Sequence, residues 1–387
     1  MTVKLKNKLI NLIIFTAVII ETAVFCFPLT TAYGNSVILS VIALNKTYTF
    51  TDIETAIYNG SKTLKNLNEV IDGIYLDTLK KPIDASIDFT PHNSQKFTVK
   101  SGQNGEEIDK ELLKNDIVNA LNLGYKTVNA KSIVLKPNVT SDELKTYTYL
   151  RSRFTTYYAN STPERKHNIR LASSFISGTV IDNNEEFSFN NVVGERALSR
   201  GFKNAKIIVN GEYTEGVGGG VCQVSTTLYN AVILSGLKVS EKHPHSLQVS
   251  YVEPSFDAMV SYPVCDLKFI NQTGGKIFLA VYAEDNYISI EVYGKKQVER
   301  YERVSVVTDT INPTNPEIIE NEELFIGEKR VIQPSKQGVK SEGYLITYLN
   351  NERVKTVKLR VDEYKSVRGK IEVGIKPTSY SGKLNEI

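Results

Sequence analysis

Cys222 is the residue of this chain best placed to act as a nucleophile. It follows the glycine-rich run Gly216-Val217-Gly218-Gly219-Gly220-Val221 and stands at the head of a helical pattern, in which Val221, Val224, Leu228, Ala231 and Val232 recur at steps of three and four. A helix start leaves backbone N–H groups unpaired and carries the positive end of the dipole, so it favours an anion. A thiolate is such an anion, and a depressed thiol pKa raises the fraction of nucleophile. The glycines let a ligand or another stretch of chain approach the backbone closely. The same residues also fit an inert reading, because a cysteine among valines is often a small buried hydrophobe and a glycine run is often a tight turn.

An attacking cysteine needs a base, and the base needs an orienting group. Two of the four histidines lie just past the helix, in Glu241-Lys242-His243-Pro244-His245-Ser246. In an extended backbone His243 and His245 point to one side. His245 is the expected base, since it opens into a predicted strand over residues 247–252 and would sit on a rigid element. Asp257, just ahead of a second predicted strand over 258–262, is the expected orienter. All three also fit ordinary loop positions. Cys222, His243, His245 and Cys265 are zinc-type ligands, but their spacing matches none of the common paired-ligand patterns, so neither metal nor cofactor is expected. The chain has three cysteines, too few for a disulfide scaffold, although a Cys222–Cys265 pair remains open.

The elements that must position these residues come next. Lys4, Lys6 and Lys8 precede a nearly continuous apolar segment over 9–29, broken by Asn11, Glu21 and Pro28. This is enough for one membrane span of about 20 residues. Small residues near 30–34 also fit a cleaved leader, so residues 1–34 are expected to be a membrane helix or signal peptide carrying Cys26. The remainder is then expected outside the cytoplasm, anchored to the membrane or secreted. A net charge of +3 with scattered lysines argues against a nucleic-acid partner. The absence of tryptophan weakens any guess built on tryptophan platforms for sugars.

The length of 387 residues allows several domains, and the fold class expected is α+β. Residues 35–150 predict a small α+β module, with strands at 37–44, 86–89, 96–99 and 128–137 and a helix at 109–121. His92 lies there in a turn. Residues 164–296 predict a helix at 165–176, the Cys222 helix ending at Gly236, and further strands at 266–270, 276–283 and 287–293. Gly274-Gly275 and Glu284-Asp285-Asn286 read as hairpin turns. A catalytic-type domain with its helix on an antiparallel sheet is the natural architecture. Residues 298–377 predict an all-β domain with strands at 304–307, 329–333, 342–349, 352–361 and 369–373 and nothing catalytic.

The second block resembles the VanW domain. The resemblance rests on Phe187-Ser188-Phe189-Asn190, Val193-Gly194-Glu195-Arg196, the run from Gly216 to Ala231, His245-Ser246, Tyr251, Asp257-Ala258 and Asp266-Leu267-Lys268-Phe269-Ile270-Asn271. The first block is similar to the peptidoglycan-binding module that often precedes VanW domains. The third is similar to the G-five β domain, with Gly327, Gly338 and Gly374 in its pattern and Asn350-Asn351 where that family often has Asn-Gly. The resemblance implies cell-wall work in Gram-positive bacteria, with stem peptides and glycan as partners. As an L,D-transpeptidase, Cys222 would attack the carbonyl after the third residue of a stem tetrapeptide and expel the terminal D-alanine. A side-chain amine of a neighbouring stem would then take the acyl group, giving a 3-3 cross-link; water in its place would give L,D-carboxypeptidase activity. His245 would move the protons, and backbone N–H groups of Gly220 to Gln223 would hold the oxyanion. Arg196 would grip a stem carboxylate, and Gly218, Gly219, Gly220, Gln223, His243 and Tyr251 would line the substrate site. Two other readings stay open: a non-catalytic peptidoglycan-binding or scaffold protein, and a papain-like wall peptidase.

Overall fold

The computed structural model describes residues 23–25, 39–51, 55–58, 60–209 and 211–377. It is a mixed α+β chain that becomes sheet-rich toward its C-terminus. Of the apolar segment 9–29, Ala23–Phe25 are described, and they form a short strand parallel to Lys46–Phe50 instead of helix. The rest of that segment and Cys26 lie outside the described residues. Among the described residues no helix is long and apolar enough to cross a membrane.

Two compact units are present, residues 1–86 with 101–141, and residues 87–100 with 142–387. In the first, Leu39–Ala43 lies between Lys46–Phe50 and the parallel strand Thr127–Asn129. Its alternation sends Leu39, Val41 and Ala43 into a core shared with Ile71, Ile74, Leu113 and Ile117. Helix Lys110–Leu123 starts where Asp109 accepts from the Leu112 N–H at 2.9 Å, and it stops at Gly124, whose φ is +78°. Two expectations change here. The single strand over 128–137 is broken into Thr127–Asn129 and Ser132–Leu135, which belong to different sheets. A further helix, Leu67–Thr78, runs through a stretch with no helical expectation.

The second unit is built on an antiparallel sheet ordered Tyr149–Tyr157, Tyr287–Gly294, Ile277–Ala283, Val180–Ile181. Tyr149–Tyr157 thus joins this sheet from ahead of residue 164. Helices Pro163–Ile176 and Val221–Leu234 contribute Ile169, Ala172, Val224 and Leu228 to the core, with Leu279, Val281, Ile288 and Ile290 from the sheet. Glu284-Asp285-Asn286 joins two paired strands, whereas Gly274-Gly275 links strands of different sheets. The all-β region holds two three-stranded sheets, one ordered Arg300–Ile311, Gly338–Leu349, Glu352–Tyr364. Asn350 and Asn351 both take positive φ in its hairpin turn, the conformation a two-residue loop requires. The second of these sheets includes Glu317–Phe325, which the strand pattern missed.

The strands expected at 247–252 and 258–262 do not form. The backbone there bonds to side chains of the helix Val221–Leu234. The Ser225 hydroxyl donates to Ala258 O at 2.6 Å, Thr226 Oγ1 accepts from the Ala258 N–H at 3.0 Å, and Asn230 donates to Phe256 O at 2.8 Å. Side-chain partners of this kind replace a neighbouring strand. They also explain why Ser225, Thr226 and Asn230 are fully buried on a helix that otherwise reads as amphipathic.

Candidate active site

Cys222 is the second residue of the helix Val221–Leu234, in its first turn. Gly218 and Gly220, with φ of +86° and +105°, turn the chain into that helix. The glycines are required by the protein's own packing. A Cβ at Gly219 would lie 2.7 Å from Lys206 O, one at Gly218 would lie 2.8 Å from Arg196 Cβ, and one at Gly220 would lie 3.0 Å from Arg165 Cγ. Two of the N–H groups expected to serve an oxyanion are already committed, Val221 to Gly218 O and Gln223 to Gly220 O. Position in the first turn leaves the Cys222 N–H without an intrahelical acceptor.

The structure brings Cys222, His245 and Asp257 together. Asp257 Oδ2 accepts from the His245 backbone N–H at 2.6 Å and from His245 Nδ1 at 2.7 Å. An ionised carboxylate only accepts, so Nδ1 carries the hydrogen and the other ring nitrogen is left for the thiol. The Cys222 thiol donates to Val260 O at 3.4 Å, and His245 is near enough to act on it electrostatically. His245 and Asp257 are 6 % and 1 % exposed, so this polar chain runs through the domain interior.

Burial resists every charge in the chain, and the neighbours overcome it. The His245 hydrogen bond and charge, with Arg196 beyond, hold the Cys222 thiol below its ordinary value. Against its own burial, His245 is lifted to about 9 by its bonds to Asp257 and Cys222 and by their charges. Asp257 is likewise depressed despite burial, by His245 first and then by Arg360 and Tyr364. The Cys222 and His245 shifts act in the same sense, favouring the thiolate–imidazolium form over the neutral pair. Cys265 behaves oppositely, with burial and the charges of Glu241 and Cys222 pushing its thiol up. Both cysteines are free. Among the described residues no group of three or more acidic, histidine and cysteine side chains can hold a metal.

The other candidate residues divide. Burial and the charges of Cys222 and Asp257 raise the Tyr251 hydroxyl pKa. Arg196 donates through Nη1 to Asn190 Oδ1 at 2.7 Å and to Gly194 O at 2.9 Å. Its Nη2 is buried with no hydrogen-bond partner among the described residues. Gln223 departs from a substrate-binding position. Its side chain accepts from Arg165 at 2.8 Å and donates to Thr156 Oγ1 and Tyr157 O, both at 3.0 Å, so every polar atom is used inside the domain. His243 pairs with Glu241 at 2.9 Å, and Glu241 also holds Lys268 at 2.8 Å. His245 itself stands on an irregular segment, not at a strand end, and is fixed by its two bonds to Asp257.

Sequence reasoning missed Arg165, Arg360 and Tyr364. Tyr364 donates to Asp257 Oδ1 at 2.6 Å, and Arg360 donates to Asp257 O at 2.6 Å. Both lie on Glu352–Tyr364, in the region expected to hold nothing catalytic. Arg360, Asp362 and Tyr364 alternate onto one strand face, which was the available signal. Nothing in the pattern pointed that face at residue 257.

Residues 164–293 match the VanW family, described as "VanW like protein", residues 43–130 match the "Putative peptidoglycan binding domain", and residues 302–376 match the "G5 domain". The chain is 39% identical over 174 residues to the "Uncharacterized protein YoaR" of Bacillus subtilis, covering 42% of this chain and 57% of the relative. It is 27% identical over 144 residues to the "Vancomycin B-type resistance protein VanW" of Enterococcus faecalis, covering 36% and 52%. It therefore spans little more than half the length of these curated relatives. A solved G5 domain of IgA1 protease is 29% identical, covering 20% of this chain and 90% of that one with a TM-score of 0.15. A second solved structure, HP0197-G5, is 17% identical over 20% of this chain and 95% of that one, with a TM-score of 0.12. The chain is a VanW-domain protein, with a peptidoglycan-binding-type domain ahead of the VanW domain and a G5 domain after it.

Proposed function

We propose that this protein is a cysteine acyltransferase of the bacterial cell wall, an L,D-transpeptidase that forms 3-3 cross-links, with L,D-carboxypeptidase activity when water replaces the acceptor amine. The observation that carries the reading is the chain Cys222–His245–Asp257, with a half-buried thiol backed by a buried His245–Asp257 pair, which favours thiolate and imidazolium together. The thiolate attacks the carbonyl of the third stem residue, and imidazolium protonates the departing D-alanine amine. The acceptor amine then loses its proton to His245 as it displaces the thiolate. The Cys222 N–H is the first candidate donor to the oxyanion, and the free Nη2 of Arg196 is the candidate grip on a stem carboxylate. The matches to peptidoglycan-binding and G5 domains favour a wall-associated, extracytoplasmic setting with glycan contacts. On this reading residues 1–34 are a membrane anchor or a leader.

The test is product analysis with the purified full chain, reducing agent and disaccharide-tetrapeptide, beside Cys222→Ala. A cross-linked dimer formed with loss of alanine, in the wild type only, supports transpeptidation. An alanine-less monomer restricts the activity to hydrolysis. Unchanged substrate with both proteins favours the second reading, a non-catalytic wall-binding scaffold, which the two flanking matches also fit.

A further inference from the structure

The segment carrying Asp257 is gripped from two sides. The helix Val221–Leu234 holds it through Ser225, Thr226 and Asn230, as above. The opposite grip comes entirely from the C-terminal β region. The Tyr364 hydroxyl accepts from the Ser255 N–H at 2.8 Å while donating to Asp257 Oδ1 at 2.6 Å. Ser255 Oγ lies 2.8 Å from Ser341 Oγ, and the Ser305 hydroxyl donates to Pro254 O at 2.7 Å. Ser255 has φ of +67°, and Gly343 leaves room for it: a Cβ there would lie 2.9 Å from Ser255 O. Arg360 donates to Asp257 O at 2.6 Å and Oδ1 at 3.3 Å, with its Nε held by Asp362. The backbone N–H of Lys365 donates to Ser246 O at 2.8 Å, fixing the residue next to His245.

We propose that Tyr364 and Arg360 of the C-terminal domain are positioning residues for the Cys222–His245–Asp257 chain, so that the VanW domain's site is completed by the domain that follows it. The inference rests on the reading of Cys222 as an activated thiol, though not on any particular substrate. The carboxylate needs both oxygens committed to hold one orientation. Oδ2 serves His245 twice, and Oδ1 is held by Tyr364 and Arg360. Without the Oδ1 partners Asp257 is free to turn about its side-chain torsions, His245 loses its fixed ring orientation, and the thiolate loses a steady imidazolium partner. Tyr364 is 1 % exposed and both of its hydroxyl contacts lie on this segment, so the geometry gives it no other polar task.

The test uses the full chain and no substrate. Iodoacetamide alkylation of Cys222 is followed by peptide mass spectrometry as a function of pH, in wild type, Tyr364→Phe, Arg360→Lys and the control Tyr344→Phe. Tyr344 lies on the same sheet but bonds to Glu342. The proposal expects the wild-type and Tyr344→Phe midpoints to coincide below the ordinary thiol range. Tyr364→Phe and Arg360→Lys are expected to rise by about one pH unit, a roughly tenfold loss of thiolate at a pH below both midpoints. Circular dichroism checks that each variant is folded; if Tyr364→Phe is not, Arg360→Lys, which keeps the charge and loses the fork of donors, carries the comparison. Folded variants with the wild-type midpoint overturn the proposal. Because alkylation needs no peptidoglycan, a failure of transpeptidation leaves this result standing by itself.

Discussion

Asp257 meets His245 twice through one oxygen: Oδ2 accepts the backbone N–H at 2.6 Å and the ring Nδ1 at 2.7 Å. One carboxylate oxygen thus fixes both the place of the residue and the tautomer of its ring. Asp257→Asn presents an amide that is no longer an obligate acceptor and favours the wrong tautomer. It is expected to lower kcat by roughly 10³-fold or more while preserving the fold. Steady-state kinetics on disaccharide-tetrapeptide measures this, and a loss below tenfold would remove Asp257 from the role of orienter.

The pH dependence of kcat/KM is expected to be bell-shaped. The basic limb follows loss of the imidazolium proton, with His245 lifted to about 9. The acid limb follows protonation of a thiolate whose pKa lies below the ordinary 9.0. Both limbs belong to the coupled pair. In Asp257→Asn the basic limb moves to lower pH, because the main hydrogen bond raising His245 is weakened.

Stability gives an independent reading. Between 6.5, the unfolded His245 value, and about 9, folding raises the proton affinity of His245 and lowers that of the Cys222 thiol. The two linkages oppose each other, so the wild type is expected to show little pH slope from this pair. In Cys222→Ala the thiol is gone, and the Asp257 hydrogen bond, the largest of the raising causes, is expected to keep His245 above its unfolded value. The folded chain then binds more protons, and stability falls as pH rises through the window, by at most about 1.4 kcal/mol per pH unit. Urea unfolding at several pH values measures the difference, and equal slopes in both proteins would contradict the assigned ion pair.

Gln223 and Arg196 are expected to separate structure from binding. Gln223→Ala removes the interior partner of Arg165 Nη2 and one contact each of Thr156 Oγ1 and Tyr157 O, while Thr156 keeps Thr227 and Arg165 keeps Ser161, at a cost of about 2 kcal/mol of stability. Arg196→Lys keeps the charge and loses the planar fork. It is expected to raise KM for the tetrapeptide about tenfold with little change in kcat.

The site was legible in the sequence where it depends on local pattern. The glycine turn ahead of a helical repeat placed Cys222 in a first turn, and nearness in the chain pointed to His245 and Asp257. The scaffold under those two was not legible. Residues 247–262 carry β-type side chains, yet their backbone is taken by Ser225, Thr226 and Asn230, a tertiary contact that leaves no periodic trace. Glycine was readable as a conformational need at Gly218 and Gly220, but the sequence could not say that Lys206 and Arg165, not a ligand, crowd that turn. Tyr364 and Arg360 lie more than a hundred positions beyond Asp257, with |i−j| of 107 and 103. Only the fold brings them there.

The most direct measurement is the intact mass of the protein, acid-quenched seconds after mixing with disaccharide-tetrapeptide. The account predicts an adduct on Cys222 equal in mass to the disaccharide-tripeptide acyl group, absent in Cys222→Ala and discharged when acceptor stems are added. Wild-type protein that binds the muropeptide but never carries that adduct would contradict the assignment of Cys222 as the nucleophile.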